Sequence, residues 1–117
     1  MINLSGFEQD FVNCFSLLQR VVNQTAHDKG WYETPTEDGT RIALMHGELS
    51  EALEWLRQGD PQSNHIPAFT GSEEEFADAI IRIMDLAEEK KLRVAEAMLA
   101  KIAFNKTRPH RHGGKKF

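Results

Sequence analysis

The chain has 117 residues, of which 40% are hydrophobic and 27% are charged, and its net charge is −4. This length and composition predict one globular domain over residues 1–117 and argue against disorder. No apolar run reaches the ~18 residues that a membrane span needs, and no basic segment precedes an apolar one at the N-terminus. We therefore expect a cytoplasmic protein. The lone Cys14 lies on an apolar stripe, which predicts a buried free thiol.

The charge is distributed unevenly along the chain. Residues 101–117 contain six Lys or Arg and no acidic residue, which leaves a charge of −10 for the rest of the chain. An acidic body with a basic tail, here residues 106–117, is not typical of a nucleic-acid-binding protein. It instead suggests a metal-binding body with an anion-binding tail, and we expect neither nucleic-acid nor membrane partners.

Two helices are predicted in the first half of the chain. Ser5-x-x-Glu8 has the spacing of a capping box and precedes apolar residues at helical intervals, which predicts a helix from about Ser5 to His27, closed by Gly30. A loop rich in turn residues follows. The next apolar stripe predicts a helix from about Thr40 to Gln58.

Two further helices are predicted in the second half of the chain. Asp60–Gly71 has two prolines and no periodicity, so it is a predicted loop of unknown role. Ser72-x-x-Glu75 repeats the capping-box spacing at the start of the third helix. A short turn is predicted near Lys90–Arg93, although one bent helix also fits, and Pro109 ends the last helix. The predicted fold is an all-α bundle of four or five helices.

Two pairs of acidic residues lie beside the predicted core stripes. Glu48-x-x-Glu51 and Glu75-x-x-Asp78 each place two carboxylates on one face of a helix. Two adjacent helices would bring the four carboxylates together, and such a group favours a hard divalent cation, which is Mg²⁺, Mn²⁺ or Ca²⁺. A solvated helix face is the alternative, since Arg82 follows Asp78 by four residues and Glu75 could instead cap its helix.

Other site types fit the sequence less well. A di-iron carboxylate bundle needs Glu-x-x-His motifs, which are absent, and no loop has the pattern of an EF-hand. His110 and His112 lack the Cys or His partners of a zinc site. A non-enzymatic helical module, with an acidic groove that binds a metal or a basic partner, remains an alternative.

The acidic motifs, followed by Lys101-x-x-x-Asn105-x-x-Arg108, resemble those of the MazG-like all-α nucleoside triphosphate pyrophosphatases. The resemblance covers about residues 5–117. It implies a homodimer or homotetramer and Mg²⁺-dependent cleavage of a (d)NTP to the monophosphate and pyrophosphate. It favours dCTP or a modified pyrimidine as substrate, in a role that cleans the nucleotide pool.

The resemblance also implies roles for individual residues. The implied metal ligands are Glu48, Glu51, Glu75 and Asp78. Base contacts are expected from His27, Trp31, Trp55 and Arg82, of which Arg82 replaces an aromatic residue of many relatives. Phosphate contacts are expected from the basic end of the chain, at Lys101, Asn105, Arg108 and Arg111. Glu51 is the candidate catalytic residue, because a carboxylate that is not fully engaged by metal can orient the attacking water.

Overall fold

The computed structural model describes residues 3–109 of the chain. It contains four helices: α1 (Gly6–Asp28), α2 (Asp38–Arg57), α3 (Gly71–Glu89) and α4 (Val94–Lys106). Residues 3–109 form no strand beyond one isolated bridge between Gln62 and Thr70. The all-helical prediction is confirmed. Arg111, His110 and His112 lie outside the described residues, as does most of the predicted basic tail.

The described residues belong to two compact units. One unit contains residues 3–17, which include the first half of α1, and residues 93–109, which include α4. The other contains residues 18–92, and therefore the second half of α1 together with α2 and α3. None of the helices is long and apolar enough to cross a lipid bilayer, within the part of the chain that the structure describes.

The start of α1 confirms the first predicted capping box. The Ser5 hydroxyl accepts the backbone N–H of Glu8 at 3.2 Å, and the Glu8 carboxylate accepts the backbone N–H of Ser5 at 3.1 Å. The predicted burial of Cys14 on this helix is wrong. Cys14 is exposed, and Phe7 is 81% exposed. Helical spacing places these side chains on one stripe, but it does not show whether another element covers that stripe.

The second predicted capping box is wrong by two residues. Thr70 is the N-cap of α3: its hydroxyl accepts the backbone N–H of Glu73, and the Glu73 carboxylate accepts the backbone N–H of Thr70. Ser72 instead donates its backbone N–H and its hydroxyl to the Asp60 carboxylate, at 2.8 and 2.5 Å. Glu75 is consequently not used as a cap, and its carboxylate is available to the acidic cluster.

Small residues let α2 pack closely against α3. Ala52 on α2 and Ala79 on α3 are both buried. At the start of α3, Gly71 lies under the ring of Trp55, where an added Cβ atom would come within 1.9 Å of the Trp55 Cδ2 atom. Any larger residue at position 71 would therefore displace the indole ring.

A turn at Lys90 and Lys91 separates α3 from α4, so the alternative of one bent helix is wrong. Lys91 adopts a left-handed conformation with φ of 57°, which ends the helix without a glycine. The predicted turn at Lys90–Arg93 is confirmed.

Apolar side chains remain exposed on α2 and α3. The predicted core stripes are covered only in part: Ala52, Met84 and Ala87 are buried, whereas Leu53 is 50% exposed and Ile80 is 52% exposed. The other half-exposed members of these stripes are Ile42, Leu49, Leu56, Phe76 and Ile83.

Candidate metal centre

The packing of α2 against α3 brings the predicted acidic residues together. Glu48, Glu51 and Glu75 each offer a carboxylate oxygen, and these three atoms lie within 4.8 Å of one another. Glu75 and Asp78 belong to a second such group, which has the same spacing. All four carboxylates predicted from the sequence are therefore part of one cluster, in which Glu75 is shared.

Glu75 is the most deeply buried acid of the cluster. Its side chain lies in the α2–α3 contact, the residue is 6% exposed, and its Oε2 atom has no hydrogen-bond partner among the described residues. Burial, followed by the nearby carboxylate of Glu51, raises the pKa of Glu75 to about 8. Burial also raises the pKa of Asp78, with Glu48 the next largest cause. The cluster is thus electrostatically strained, and a cation would relieve that strain.

Arg82 partly neutralises the cluster. Its Nε atom donates to the Glu48 carboxylate at 2.9 Å, and its guanidinium carbon lies 5.4 Å from the centre of the Trp31 ring. The sequence spacing suggested a pair between Arg82 and Asp78 on the same helix, but the direct ion pair is formed with Glu48 on α2. Within the described part of the chain, Glu48 is consequently the one predicted metal ligand that already forms a direct ion pair.

Two cavities of about 370 Å³ each border the acidic cluster. We call one the α1 cavity; its lining includes Thr25, Lys29, Trp31, Glu48, Asp78 and Arg82. We call the other the loop cavity; its lining includes Glu51, Trp55, Asn64, His65, Glu74 and Glu75. Lysine and arginine occur in the lining of the α1 cavity but not in that of the loop cavity, among the described residues. The two predicted base-binding tryptophans therefore lie in different cavities.

His27 takes part in a packing cluster beside α3. Its Nε2 atom lies 2.7 Å from the Glu89 carboxylate, and its ring stacks on Tyr32 with 4.2 Å between the ring centres. Arg41 lies 4.1 Å from the centre of the Tyr32 ring. The Tyr32 hydroxyl is buried and has no hydrogen-bond partner within residues 3–109, and burial, followed by the nearby Asp85 carboxylate, raises its pKa to about 12. His27 thus has structural partners, whereas Trp31 and Arg82 line the same cavity as the acids.

Three of the predicted phosphate-binding residues lie in the described part of the chain, and these three are exposed. Lys101 and Asn105 lie on α4, Arg108 follows the end of that helix, and all three belong to the unit that does not contain the acidic cluster. The Lys101 ammonium group lies 4.6 Å from the centre of the Phe104 ring. Their role, like that of Arg111, stays a prediction.

The sequence motifs did not identify Glu74, which joins the cluster from the position before Glu75. Its carboxylate forms hydrogen bonds with the side chains of Ser63 and His65 in the 60–70 loop. The run Glu73–Glu75 is the sequence feature that could have indicated a further acid at the cluster. Only one of these three successive acids, Glu73, is used in the helix cap. Nothing in the loop sequence indicated that Ser63 and His65 would contact Glu74.

Comparison with protein-family models, with curated proteins and with solved structures finds no match to this chain. The resemblance to the MazG-like pyrophosphatases therefore stays a prediction from the motif residues. A role for the acidic cluster is therefore argued from the chemistry of its own residues.

Proposed function

We propose that the chain is a Mg²⁺-dependent nucleoside triphosphate pyrophosphohydrolase, which converts a (d)NTP to the monophosphate and pyrophosphate. The observation that carries this proposal is Glu75, a buried carboxylate with an unpartnered oxygen among other carboxylates. A purely structural role does not explain why so many acids meet in a partly buried place. Hard oxygen ligands in this number suit Mg²⁺ or Mn²⁺.

The residues around the cluster suit a polyanionic substrate. When bound, Mg²⁺ would neutralise phosphate charge and lower the pKa of a bound water. Glu51 is exposed, and so its carboxylate can reach a water or a substrate atom, in agreement with its proposed role in orienting the nucleophile. Lys29 and Arg82 supply positive charge in the α1 cavity. Lys101, Asn105, Arg108 and Arg111 are proposed as further phosphate contacts.

We place the base in the α1 cavity. Trp31 is 53% exposed there, so its ring is accessible for stacking, and Arg82 lies close to it. Trp55 borders the loop cavity and covers Gly71, which gives it a packing role even without substrate. A deoxynucleoside triphosphate with a pyrimidine base, dCTP or a modified pyrimidine, is the favoured substrate through the family resemblance alone.

The exposed apolar stripes support the proposed homodimer or homotetramer. A half-exposed row of Leu, Ile and Phe side chains on α2 and α3 is too apolar for a permanently solvated surface. A symmetric association that buries this row would give the chain a core of ordinary size.

A panel of (d)NTPs incubated with Mg²⁺ tests the activity directly. We expect pyrophosphate and a nucleoside monophosphate as products, with no turnover after addition of EDTA. Release of inorganic phosphate and a diphosphate would contradict cleavage at the α-phosphorus. The absence of turnover with every nucleotide would instead favour the non-enzymatic helical module, for which the exposed apolar stripes also offer a binding surface.

A further inference from the structure

Asp85 lines the α1 cavity at some distance from the acidic cluster. It follows Asp78 by seven residues on α3, so the two lie on the same face of the helix and are separated by about 10 Å along its axis. Asp78 belongs to the acidic cluster and lines the same cavity. In a nucleotide the sugar separates the base from the α-phosphate, so one cavity has to provide two such places.

Asn23 on α1 fixes the carboxylate of Asp85. The Asn23 Nδ2 atom donates to Asp85 Oδ1 at 2.9 Å and to the Glu89 carboxylate at 3.0 Å. Asp85 is partly buried, and no Lys, Arg or His side chain within residues 3–109 forms an ion pair with it. The cavity wall therefore contains an oriented carboxylate that no ion pair neutralises.

A carboxylate at this position distinguishes the bases by their exocyclic groups. An ionised carboxylate accepts hydrogen bonds and donates none. Cytosine has an exocyclic amino group that donates, whereas uracil and thymine have a carbonyl oxygen at the same place on the ring. Trp31, in the same cavity, gives no such distinction, because stacking tolerates every base. Selection of the base therefore needs a polar group such as Asp85.

A purely structural role for Asp85, as an acceptor for Asn23, is the competing explanation. Glu89 has this structural role too, because it accepts from the same amide one turn farther along α3. Glu89 does not line the α1 cavity, whereas Asp85 does. The two acids thus share a hydrogen-bond donor but differ in access to the cavity, and a comparison between them separates the explanations.

We propose that Asp85 determines the base specificity of the site by accepting a hydrogen bond from the exocyclic amino group of cytosine. Asn23 acts as a positioning residue, which holds the carboxylate in its accepting orientation. The inference rests on the proposed pyrophosphohydrolase function and adds to it the residue that selects the base.

The ratio of kcat/KM for dCTP to that for dUTP, measured on the full-length chain with Mg²⁺, tests this proposal. We expect the unmodified protein to prefer dCTP about 10- to 100-fold. Asp85→Asn, which keeps the shape of the side chain, should lose this preference, because an amide can also donate to the uracil carbonyl. The matched control Glu89→Gln should retain it. Equal preference in the unmodified protein and Asp85→Asn, or an equal loss in Glu89→Gln, would overturn the proposal.

A second variant tests the positioning role. Asn23→Ala leaves the Asp85 carboxylate in place but frees it to rotate, so the preference for dCTP should fall about 3- to 10-fold. A loss of structure alone would lower the rates with both nucleotides and leave their ratio unchanged. Circular dichroism and the unfolding temperature show whether each variant is folded. An unchanged ratio in folded Asn23→Ala would overturn the role of Asn23.

Binding of dCMP and dUMP, measured by isothermal titration calorimetry, separates this inference from the proposed function. These monophosphates have no anhydride bond to cleave, so the ratio of their dissociation constants reports on recognition of the base alone. Tighter binding of dCMP to the unmodified protein but not to Asp85→Asn would support the inference even without turnover of any triphosphate. Turnover of dCTP and dUTP at equal rates would overturn the role of Asp85 and leave the pyrophosphohydrolase function intact.

Discussion

The contact between α2 and α3 has two sides, and their burial is the reverse of what is usual. On one side of the buried Ala52 and Ala79 lie the acids, among which Glu75 is almost fully buried. On the other side, apolar side chains such as Leu53 and Ile80 are half exposed. Charged groups are normally exposed and large apolar groups covered. The proposed cation would account for the burial on the acidic side, and the proposed homo-oligomer would account for the exposure on the apolar side.

The largest expected effect comes from replacing the central carboxyl group of the acidic side, that of Glu75. Glu75→Gln should lower kcat/KM for the (d)NTP at least about 1,000-fold, because the loss of this proposed metal ligand would remove several kcal/mol of stabilisation. The same variant should unfold at a higher temperature in EDTA at neutral pH, since Glu75 must take up a proton when the chain folds, whereas Gln does not. Steady-state kinetics and thermal denaturation measure the two effects.

The opposite signs of these two effects make the test specific. Loss of activity together with loss of stability would indicate that Glu75 is a structural residue. Full activity in Glu75→Gln would show that the metal centre is elsewhere.

A charged residue on the apolar side should disrupt the proposed homo-oligomer. Leu53→Glu should raise the dissociation constant of the homo-oligomer at least about 100-fold, because burying an unpaired carboxylate in an interface costs several kcal/mol. Sedimentation velocity over a concentration series measures this change. Ile66→Glu is the matched control, since Ile66 is an exposed apolar residue of the loop and belongs to neither the α2 nor the α3 stripe. A monomeric unmodified protein at micromolar concentration would contradict the interpretation of this surface.

The two sides also differ in how far the sequence predicts them. Spacing identified both acidic pairs and the helices that carry them, because a face of an α-helix follows directly from its periodicity. The same periodicity identified the stripe that contains Leu53 but not its exposure, which depends on what covers the helix. The cap of α3 was misplaced because Thr70 and Ser72 both precede a Glu by three residues. Only the tertiary contact between Ser72 and Asp60 distinguishes the two.

The dependence of the free energy of unfolding on pH tests the acidic side of the α2–α3 contact. Between about pH 4.5 and about 8, folded Glu75 retains a proton that the unfolded chain loses, because its pKa is raised from 4.5 to about 8. The free energy of unfolding in EDTA should therefore fall as the pH rises through this range, by on the order of a few kcal/mol. Urea denaturation at several pH values measures the decrease.

A variant separates Glu75 from other titrating groups. The Glu74 carboxylate raises the pKa of His65 above 6.5, so that His65 also contributes stability that is lost as the pH rises through its folded pKa. The difference between the unmodified protein and Glu75→Gln isolates the contribution of Glu75, since His65 is present in both. Parallel pH profiles for the two proteins would show that Glu75 titrates normally.

The smallest expected effects distinguish the two tryptophans beside the acidic side. Trp31→Ala should raise KM for the (d)NTP about tenfold with little change in unfolding temperature, because stacking is worth about 1–3 kcal/mol per base and the Trp31 ring is largely exposed. Trp55→Ala should instead lower the free energy of unfolding by about 2 kcal/mol, because its ring covers Gly71, and should change KM less. Trp31→Phe, which keeps an aromatic face, should restore most of the affinity. If Trp55→Ala raised KM more than Trp31→Ala did, the base would occupy the loop cavity, and the positive charge of Lys29 and Arg82 would then serve the phosphates alone.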